Sequence, residues 1–198
     1  MPLSARQIAV GALALIYGLF FVWFGGNGKP VSAEEGARYL AAIRTSPSAP
    51  LHPEIAINLA KIIAADDGKA FIMVNMETQI PGAEARAETL AYAKMVLPAM
   101  VRRASFPVYI GPVRGTVIGS KTEGATSVAL VRYRSLRDFL EIFTDPAMHK
   151  GVGHKFAALK GAESISSTPI LLAAPIRPLA GLVFLLIGLL IWRKNWRR

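Results

Sequence analysis

The histidines His149 and His154 are the first candidates for chemistry in the C-terminal half of the chain. They lie five positions apart, with Gly151 and Gly153 between them. Neighbours on one helix face are three or four positions apart, and the chain has no cysteine to complete a ligand set, so we expect no metal site. Histidine titrates near neutral pH, so His149 in a pocket would suit proton transfer, and a surface or pocket-rim position is the alternative.

A second set of polar side chains falls in segments that have the pattern of strands. Period-two alternation places Met73, Asn75 and Glu77 on one face of a strand, and Arg132 and Arg134 on one face of another. If these strands are neighbours, Asn75 or Glu77 could meet an arginine and orient a small anionic or phenolic ligand in an apolar pocket. A structural cross-strand pair or a dimer contact explains the same residues, and we favour it.

These hypotheses define a candidate ligand-binding set, within which Asn75 and His149 are the candidates for catalysis. The set comprises Met73, Asn75, Tyr92, Arg132 and His149. Tyr92 has a structural alternative, because a buried tyrosine with a hydrogen-bonded hydroxyl needs no catalytic role.

Several classes of function are excluded by what the sequence lacks. It contains no nucleotide-binding glycine motif, no nucleophile-elbow motif and no zinc-protease motif. The absence of cysteine excludes a thiolate nucleophile and an iron–sulfur cluster, and we expect no cofactor. Basic residues such as Arg102 and Arg103 lack the interleaved aromatics of a nucleic-acid site, so we expect no nucleic-acid partner.

The high net charge is concentrated outside the middle of the chain. The formal charge is +10, but residues 29–170 hold all 13 acidic residues and 17 of the 23 basic ones, which leaves that region only +4. The remaining basic residues flank two apolar segments: Arg6, Arg177, Arg193, Lys194, Arg197 and Arg198. This distribution is typical of membrane-flanking charge.

Both apolar segments, residues 8–24 and 175–192, are long enough to span a bilayer. The basic residues beside them predict an inner-membrane protein with two spans, both termini cytoplasmic, and a periplasmic or extracytoplasmic middle region. The alternative for the first segment is a signal peptide cleaved after Ala33, because Val31-Ser32-Ala33 has the small-residue pattern of a peptidase site. The run Gly25–Gly28 predicts a flexible exit from the bilayer.

Glycines recur every seven residues in the apolar segments, at Gly11, Gly18 and Gly25 and again at Gly181 and Gly188. This spacing places each set near one helix face, where backbones can approach closely. We expect the spans to pack through these glycines, either with each other or with a second copy. Chance is the alternative, since glycine is common in membrane helices.

The middle region predicts an α+β fold of ferredoxin-like β-α-β-β-α-β order. Two helices, 32–44 with a capping box from Ser32 and Glu35 and 53–65, come first. The predicted strands are 70–76, 108–118, 126–134 and 164–171, and the predicted helices are 83–103, 136–143 and 152–162. Turn residues separate the elements, including 121–124 between the middle strands and Ser135 as a helix cap. Such a sheet has helices on one face only, so we expect a homodimer that covers the other face.

The same elements carry a resemblance to a known superfamily. The matching stretches are 71–76 (FIMVNM), Tyr92, 108–111 (VYIG), 127–135 and 139–149 (FLEIFTDPAMH). They resemble the dimeric α/β-barrel superfamily, in particular its uncharacterised branch similar to antibiotic-biosynthesis monooxygenases. The resemblance implies a pocket between sheet and helices but no reaction, because the superfamily includes cofactor-free oxygenases, haem enzymes, isomerases and ligand-binding modules. The two spans and the helices before residue 70 depart from the usual barrel.

The sequence therefore predicts four parts with one of two functions. The parts are an N-terminal transmembrane helix and linker (1–28), a helical lead-in (29–69), the barrel domain (70–172), and a C-terminal transmembrane helix with a basic tail (173–198). One function is a membrane-anchored module that binds a small apolar ligand or an envelope protein. The alternative is a cofactor-free, monooxygenase-like enzyme acting on a small apolar or aromatic compound.

Overall fold

A computed structural model describes residues 4–26, 28–119, 124–170 and 176–194 of the chain. The predicted turn residues 121–123, the strand end at Leu171, Pro175, Asn27 and the basic tail at 195–198 lie outside the described residues. The chain divides into two compact units, an α/β unit of residues 27–169 and a terminal unit of residues 1–26 and 170–198. The helices are α1 (Ala5–Gly25), α2 (Ala33–Arg44), α3 (Glu54–Ala64), α4 (Ala83–Arg102), α5 (Leu136–Phe143), α6 (Pro146–Ala157) and α7 (Ile176–Lys194). The strands are β1 (Phe71–Gln79), β2 (Phe106–Pro112), β3 (Ser127–Tyr133) and β4 (Leu159–Ser167).

The strands of the α/β unit form one antiparallel sheet in the order β2-β3-β1-β4. Strand β1 lies in the centre, with Phe71 opposite Tyr133 on β3 and Asn75 opposite Ser164 on β4. The two outer strands, β2 and β4, lie at the edges. This order confirms the predicted ferredoxin-like α+β fold.

Helices cover one face of the sheet, which we call the helix-side face. On it, the rings of Phe71 and Tyr133 stack with centroids 5.3 Å apart, and Phe139 of α5 meets Tyr133 edge-on at 4.9 Å. Leu140 of α5 is fully buried in the same core, and so is Ile43 of α2. Helices α2 and α3 therefore share one core with the sheet.

Two boundaries in the C-terminal half of the α/β unit differ from the prediction. Helix α6 begins at Pro146 rather than at residue 152, because Asp145 caps it by accepting a hydrogen bond from the Ala147 backbone N–H. Strand β4 correspondingly begins at Leu159 rather than at residue 164. Gly151 is compatible with the helix because α6 crosses α4 closely there: an added Cβ would lie 3.2 Å from atoms of Tyr92 and Val96.

Residues 29–31, which follow the predicted flexible exit at 25–28, are fixed to the core of the α/β unit. The Arg137 guanidinium donates to the carbonyls of Lys29 and Pro30, at 3.0 and 2.9 Å, and to both carboxylate oxygens of Glu35. The Val31 backbone N–H donates to the Asp66 carboxylate at 2.7 Å, and the Val31 side chain is buried in the core.

The terminal unit consists of α1 and α7, two helices long and apolar enough to cross a membrane by length and composition. They pack antiparallel. The Tyr17 and Phe184 rings are 5.4 Å apart, and the guanidinium of Arg6 lies 3.5 Å from the Trp192 ring centroid. At the other end, the Arg177 guanidinium donates to the Phe21 carbonyl.

The glycines contribute unequally to this packing. A Cβ on Gly25 would overlap the Arg177 side chain, one on Gly181 would lie 2.7 Å from the Tyr17 hydroxyl, and one on Gly188 would lie 3.8 Å from Leu13. Added Cβ atoms on Gly11 and Gly18 would meet nothing within 4 Å. Gly25, Gly181 and Gly188 therefore lie in the contact between the two helices, and packing of Gly11 and Gly18 against a second copy stays a prediction.

The contact between Glu35 and Arg137 makes stability depend on pH. Hydrogen bonds from Arg137, and then from the Ser32 backbone N–H, lower the pKa of Glu35 from 4.5 to about 2. A carboxyl with a lowered pKa stabilises the folded state above its unfolded pKa and loses that contribution as the pH falls through its folded pKa. We expect the difference in unfolding free energy between the full chain and its Glu35→Gln variant to be largest above pH 5 and to shrink between pH 4.5 and about 2.

Urea titrations of the detergent-solubilised chain at pH 7, 5 and 3 measure this difference. Glu84→Gln is the matched control, because Glu84 is an exposed glutamate in the first turn of α4. A pH-independent difference for Glu35→Gln would contradict the assigned coupling.

Candidate functional site

The sheet register separates two residues that were predicted to line one pocket. Asn75 pairs with Ala129 on β3 and with Ser164 on β4, on the helix-side face. Arg132 pairs with Ile72 and therefore lies on the opposite face. The predicted meeting of Asn75 and Arg132 is wrong, because β3 pairs with β1 in a phase one residue away from the one we expected.

Arg132 is a buried structural residue near the end of the inner strand β3. Its guanidinium donates to the Ala104 carbonyl at 2.6 Å and lies 5.9 Å from the Phe106 ring centroid. Ala104 has a φ of 47°, which an alanine adopts rarely. Arg132 therefore supports the strained turn between α4 and β2. Arg134 pairs with Asp138 on α5 rather than with β1.

Asn75 uses its side-chain amide to connect three strands. Its Nδ2 donates to the Ala129 carbonyl at 3.3 Å, and its Oδ1 accepts from the Ser164 hydroxyl at 2.7 Å. The side chain is 8% exposed. These contacts agree with the structural reading of Asn75, because its donor and its acceptor are both engaged within the sheet.

Tyr92, Met73 and His149 lie in or beside the helix-side core. Met73 is buried in it, and the Tyr92 hydroxyl, on α4, donates to the Met148 sulfur at 3.7 Å. His149 is half-buried on α6, and its buried Nε2 has no hydrogen-bond partner among the described residues. No hydrogen bond in the described part of the chain joins the His149 side chain to Asn75 or to Tyr92.

The register assembles a different polar group at one end of the helix-side face, which we call the Glu77 cluster. Its members are Asn75, Glu77, Tyr92, Ser127, Lys155 and Ser164. Glu77 lies directly opposite Ser127, two residues along β1 from Asn75. The Lys155 ammonium of α6 is 3.9 Å from the Glu77 carboxylate and 5.8 Å from the Tyr92 ring centroid. The cluster therefore joins a carboxylate, an ammonium group, hydroxyls and an aromatic ring.

Two members of the Glu77 cluster have incomplete hydrogen bonding. Ser127 is 6% exposed, and its hydroxyl has no hydrogen-bond partner among the described residues. The Glu77 side chain is 18% exposed, and the 3.9 Å contact with Lys155 is longer than a hydrogen bond. Buried polar groups usually find partners. Ser127 and Glu77 therefore keep hydrogen-bonding capacity that the described residues do not use.

Sequence reasoning placed Glu77 on the correct face but missed Ser127 and Lys155. Ser127 is the first residue of β3, and counting in twos from Tyr133 places it on the helix-side face. Lys155 follows Gly151 by four positions, and both residues contact Tyr92. The signal for Lys155 was Asp145-Pro146, which marks the start of α6.

Burial controls the ionisation of the tyrosine beneath the helices. It raises the pKa of the Tyr133 phenol well above its usual value, and the neighbouring Tyr92 adds to the effect. Tyr133 therefore remains a neutral phenol in the core at physiological pH.

Two depressions on the α/β unit are lined by residues outside the predicted ligand-binding set. One, of about 130 Å³, lies where α2 meets α3 and includes His52 and Ser48. The other, of about 330 Å³, lies between the end of α3, the start of β1 and the end of β4. In the described ranges, no group of three or more histidine, aspartate or glutamate side chains is arranged to hold a metal ion.

Comparison with known proteins shows the fold of this chain. No protein-family model matches it, and no curated protein matches it. The crystal structure of methylated RPA0582 protein is 23% identical, with a TM-score of 0.54 over 59% of this chain and 93% of that one. A second structure of RPA0582, from Rhodopseudomonas palustris, is 22% identical with a TM-score of 0.52 over 59% of this chain and 94% of that one. The chain shares the fold of RPA0582.

Neither likeness supplies an activity, because RPA0582 is described as a protein of unknown function. SnoaB, a cofactor-independent oxygenase from Streptomyces nogalater, is 13% identical and has a TM-score of 0.39 over 53% of this chain and 97% of its own. At this distance its activity is not transferred to the present chain.

Substitutions at Asn75 and Ser127 distinguish a polar side chain that stabilises the sheet from one that does not. Asn75→Ala removes the partners of Ser164 and Ala129, so we expect it to lower the unfolding free energy by about 1–3 kcal/mol. Ser127→Ala removes a hydroxyl without a described partner, so we expect a change within about 0.5 kcal/mol. Denaturant unfolding of the full chain measures both. A neutral Asn75→Ala would contradict the structural role of Asn75.

Proposed function

We propose that this protein is a membrane-anchored, extracytoplasmic module that pairs with a second copy of itself and binds a small ligand or an envelope protein. The observation that carries the proposal is the uncovered face of the sheet, which we call the open face. This face is largely apolar, although a sheet face in contact with water is normally polar.

Along every strand, successive side chains point alternately to the helix-side face and to the open face. Its apolar side chains are Ile72, Val74 and Met76 of β1, Val128 and Leu130 of β3, Tyr109 of β2 and Ile165 of β4, and the polar residues Arg132, Glu163 and Ser167 share the face. Tyr109 is 52% exposed and Ile165 is 64% exposed. Sheet faces in contact with water normally carry polar residues, whereas apolar faces pack against another layer.

A second copy is the occupant we propose for the open face. Two identical sheets can pair around a twofold axis, and this is the commonest symmetry among homo-oligomers. The pairing would complete the second layer that the α/β unit lacks. The homodimer expected from the sequence therefore remains our proposal for the assembly.

Anchoring through α1 and α7 is supported by their composition and by basic residues at their ends. The helices are 21 and 19 residues long and mostly exposed, as expected for lipid-facing helices. Arg6 and Arg193 lie near one end of the antiparallel pair, which agrees with cytoplasmic termini under the positive-inside rule. Val31 supports retention of α1, because cleavage after Ala33 would remove a core residue and the Ser32 helix cap.

The Glu77 cluster supports the second candidate function, a cofactor-free enzyme acting on a small apolar or aromatic compound. The buried hydroxyl of Ser127 and the loosely paired Glu77 and Lys155 could bind the polar group of such a compound beside the Tyr92 ring. Since no bond-making constellation accompanies them, we rank binding above catalysis. Native mass spectrometry of the extracted protein separates the two classes of partner: a stoichiometric extra mass favours a ligand, and its absence favours a protein partner.

A charge in the centre of the open face tests the proposed pairing. We expect the full chain in detergent to be a dimer and Val74→Lys to weaken its association at least tenfold, because the interface would bury an unpaired ammonium group. Leu90→Lys, at an exposed leucine on α4, is the matched control and should stay dimeric. Light scattering after size-exclusion chromatography measures the assembly. A monomeric parent chain, or a dimeric Val74→Lys variant, would refute the pairing.

A further inference from the structure

Two polar groups on the open face make no hydrogen bond and no ion pair within the described part of the chain. They are the Tyr109 hydroxyl on β2 and the Glu163 carboxylate on β4. Both side chains are exposed in the single copy, where water can solvate them. Pairing of the open face would remove that water, and a buried polar group without a partner costs free energy.

Gly111 fixes the position of the Tyr109 hydroxyl on this face. The Tyr109 side chain lies along β2, and a Cβ on Gly111 would lie 2.3 Å from its hydroxyl oxygen. The hydroxyl therefore occupies the space that a side chain at Gly111 would fill. Gly111 begins a row of paired residues that crosses the sheet through Val128, Met76 and Glu163. The hydroxyl and the carboxylate thus lie at the two ends of one row, with two apolar side chains between them.

Within one copy, the ends of this row are too far apart for a hydrogen bond. Strands β2 and β4 are the two edges of the sheet, separated by three strand spacings or about 14 Å. A partner for the Tyr109 hydroxyl and a partner for the Glu163 carboxylate must therefore come from the second copy.

The symmetry of a face-to-face pair decides which residues meet. A twofold axis that lies between the sheets and runs parallel to the strands reverses the strand order of the second copy but keeps positions along the strands. Strand β2 of each copy then faces β4 of the other, and each row faces its own counterpart in reverse order. Gly111, with the Tyr109 hydroxyl above it, consequently faces Glu163 of the second copy.

A twofold axis perpendicular to the strands gives a poorer match. It places β2 over β2 and β4 over β4. Strand β2 contains no charged residue, so the Tyr109 hydroxyl would face no carboxylate. The two Glu163 carboxylates would lie on facing strands and repel each other.

We propose that the Tyr109 hydroxyl of each copy donates a hydrogen bond to the Glu163 carboxylate of the second copy, around a twofold axis parallel to the strands. The symmetry forms this contact twice, once on each side of the apolar centre of the open face. Polar contacts at the rim of an apolar interface fix its alignment, and here they would fix which strands face each other. The inference rests on the proposed pairing of two copies and adds the axis and the side chains that define it.

A double-mutant cycle on the dimer tests the contact. The dissociation constant of the full chain in detergent is measured by dilution for Tyr109→Phe, for Glu163→Ala and for the double variant. We expect each single substitution to raise it at least about tenfold, because two charge-assisted hydrogen bonds are lost per dimer. The double variant should raise it no more than about threefold further. Tyr39→Phe on α2 and Glu84→Ala on α4 remove the same groups from the helix layer and should change it less than about twofold.

Cross-linking tests the axis separately, because the chain has no cysteine. Tyr109 and Ile165 share one row, through Leu130 and Val74, and should face each other between copies. After subunit exchange in detergent, a short bismaleimide should therefore join a mixture of Tyr109→Cys and Ile165→Cys chains into covalent dimers. Either variant alone should give no covalent dimer, because its two cysteines would lie at opposite edges of the pair.

The outcomes distinguish this contact from the pairing itself. Additive losses in the cycle, covalent dimers from either single variant, or no covalent dimer from the mixture would refute the Tyr109–Glu163 contact. A dimer that Val74→Lys disrupts and Tyr109→Phe leaves unchanged would refute the contact alone. A monomeric parent chain would refute the pairing and the contact together.

Discussion

The structure depends on the asymmetric burial of one four-stranded sheet. Phe71, Tyr133 and Phe139 pack together on the helix-side face, and Leu140 and Ile43 complete the core against them. On that face Met73 also belongs to the core, and Asn75 and Glu77 belong to the Glu77 cluster at its end. The alternate side chains form the open face, for which the α/β unit has no second layer of its own. Association of two copies is the simplest way to remove this apolar surface from water.

Arg137 and Asp66 extend the same core to the segment that follows α1. Arg137 binds the carbonyls of Lys29 and Pro30 together with Glu35, and Asp66 binds the Val31 N–H. The start of the α/β unit is thereby fixed to its own core, beside the turn that follows α3.

Much of this architecture could be predicted from local sequence. Ser32 with Glu35, and Ser135, predicted helix starts that the structure confirms, because a cap is a contact between residues a few positions apart. The order of strands and helices was sufficient for the fold class. Helix α6 was predicted six residues too late, at 152–162, although Asp145 and Pro146 mark its start. Gly151 lies where α6 crosses α4 close to Tyr92 and Val96, a long-range contact that local sequence does not show.

The candidate sites were harder to predict because they depend on register and on distant segments. The period-two pattern shows which residues of one strand share a face. Only the pairing between strands shows which residues of the neighbouring strand lie on that same face. The pairing of β1 with β3 places Asn75 and Arg132 on opposite faces. The depression of about 330 Å³ combines residues near 65, 136 and 167, and no local pattern joins them. His149, chosen for its chemistry alone, has a buried Nε2 without a hydrogen-bond partner among the described residues.

The central claim is that two copies pair through the open face, and a distance measurement between copies tests it most directly. The chain has no cysteine, so Lys94→Cys on the outer helix layer provides a single site for a spin label. Pulsed electron–electron double resonance on the full chain in lipid nanodiscs should give one narrow distribution of distances between the labels of two copies. Adding Val74→Lys should abolish this signal. The absence of an intermolecular distance in the labelled chain, or a distance that persists unchanged with Val74→Lys, would contradict the account.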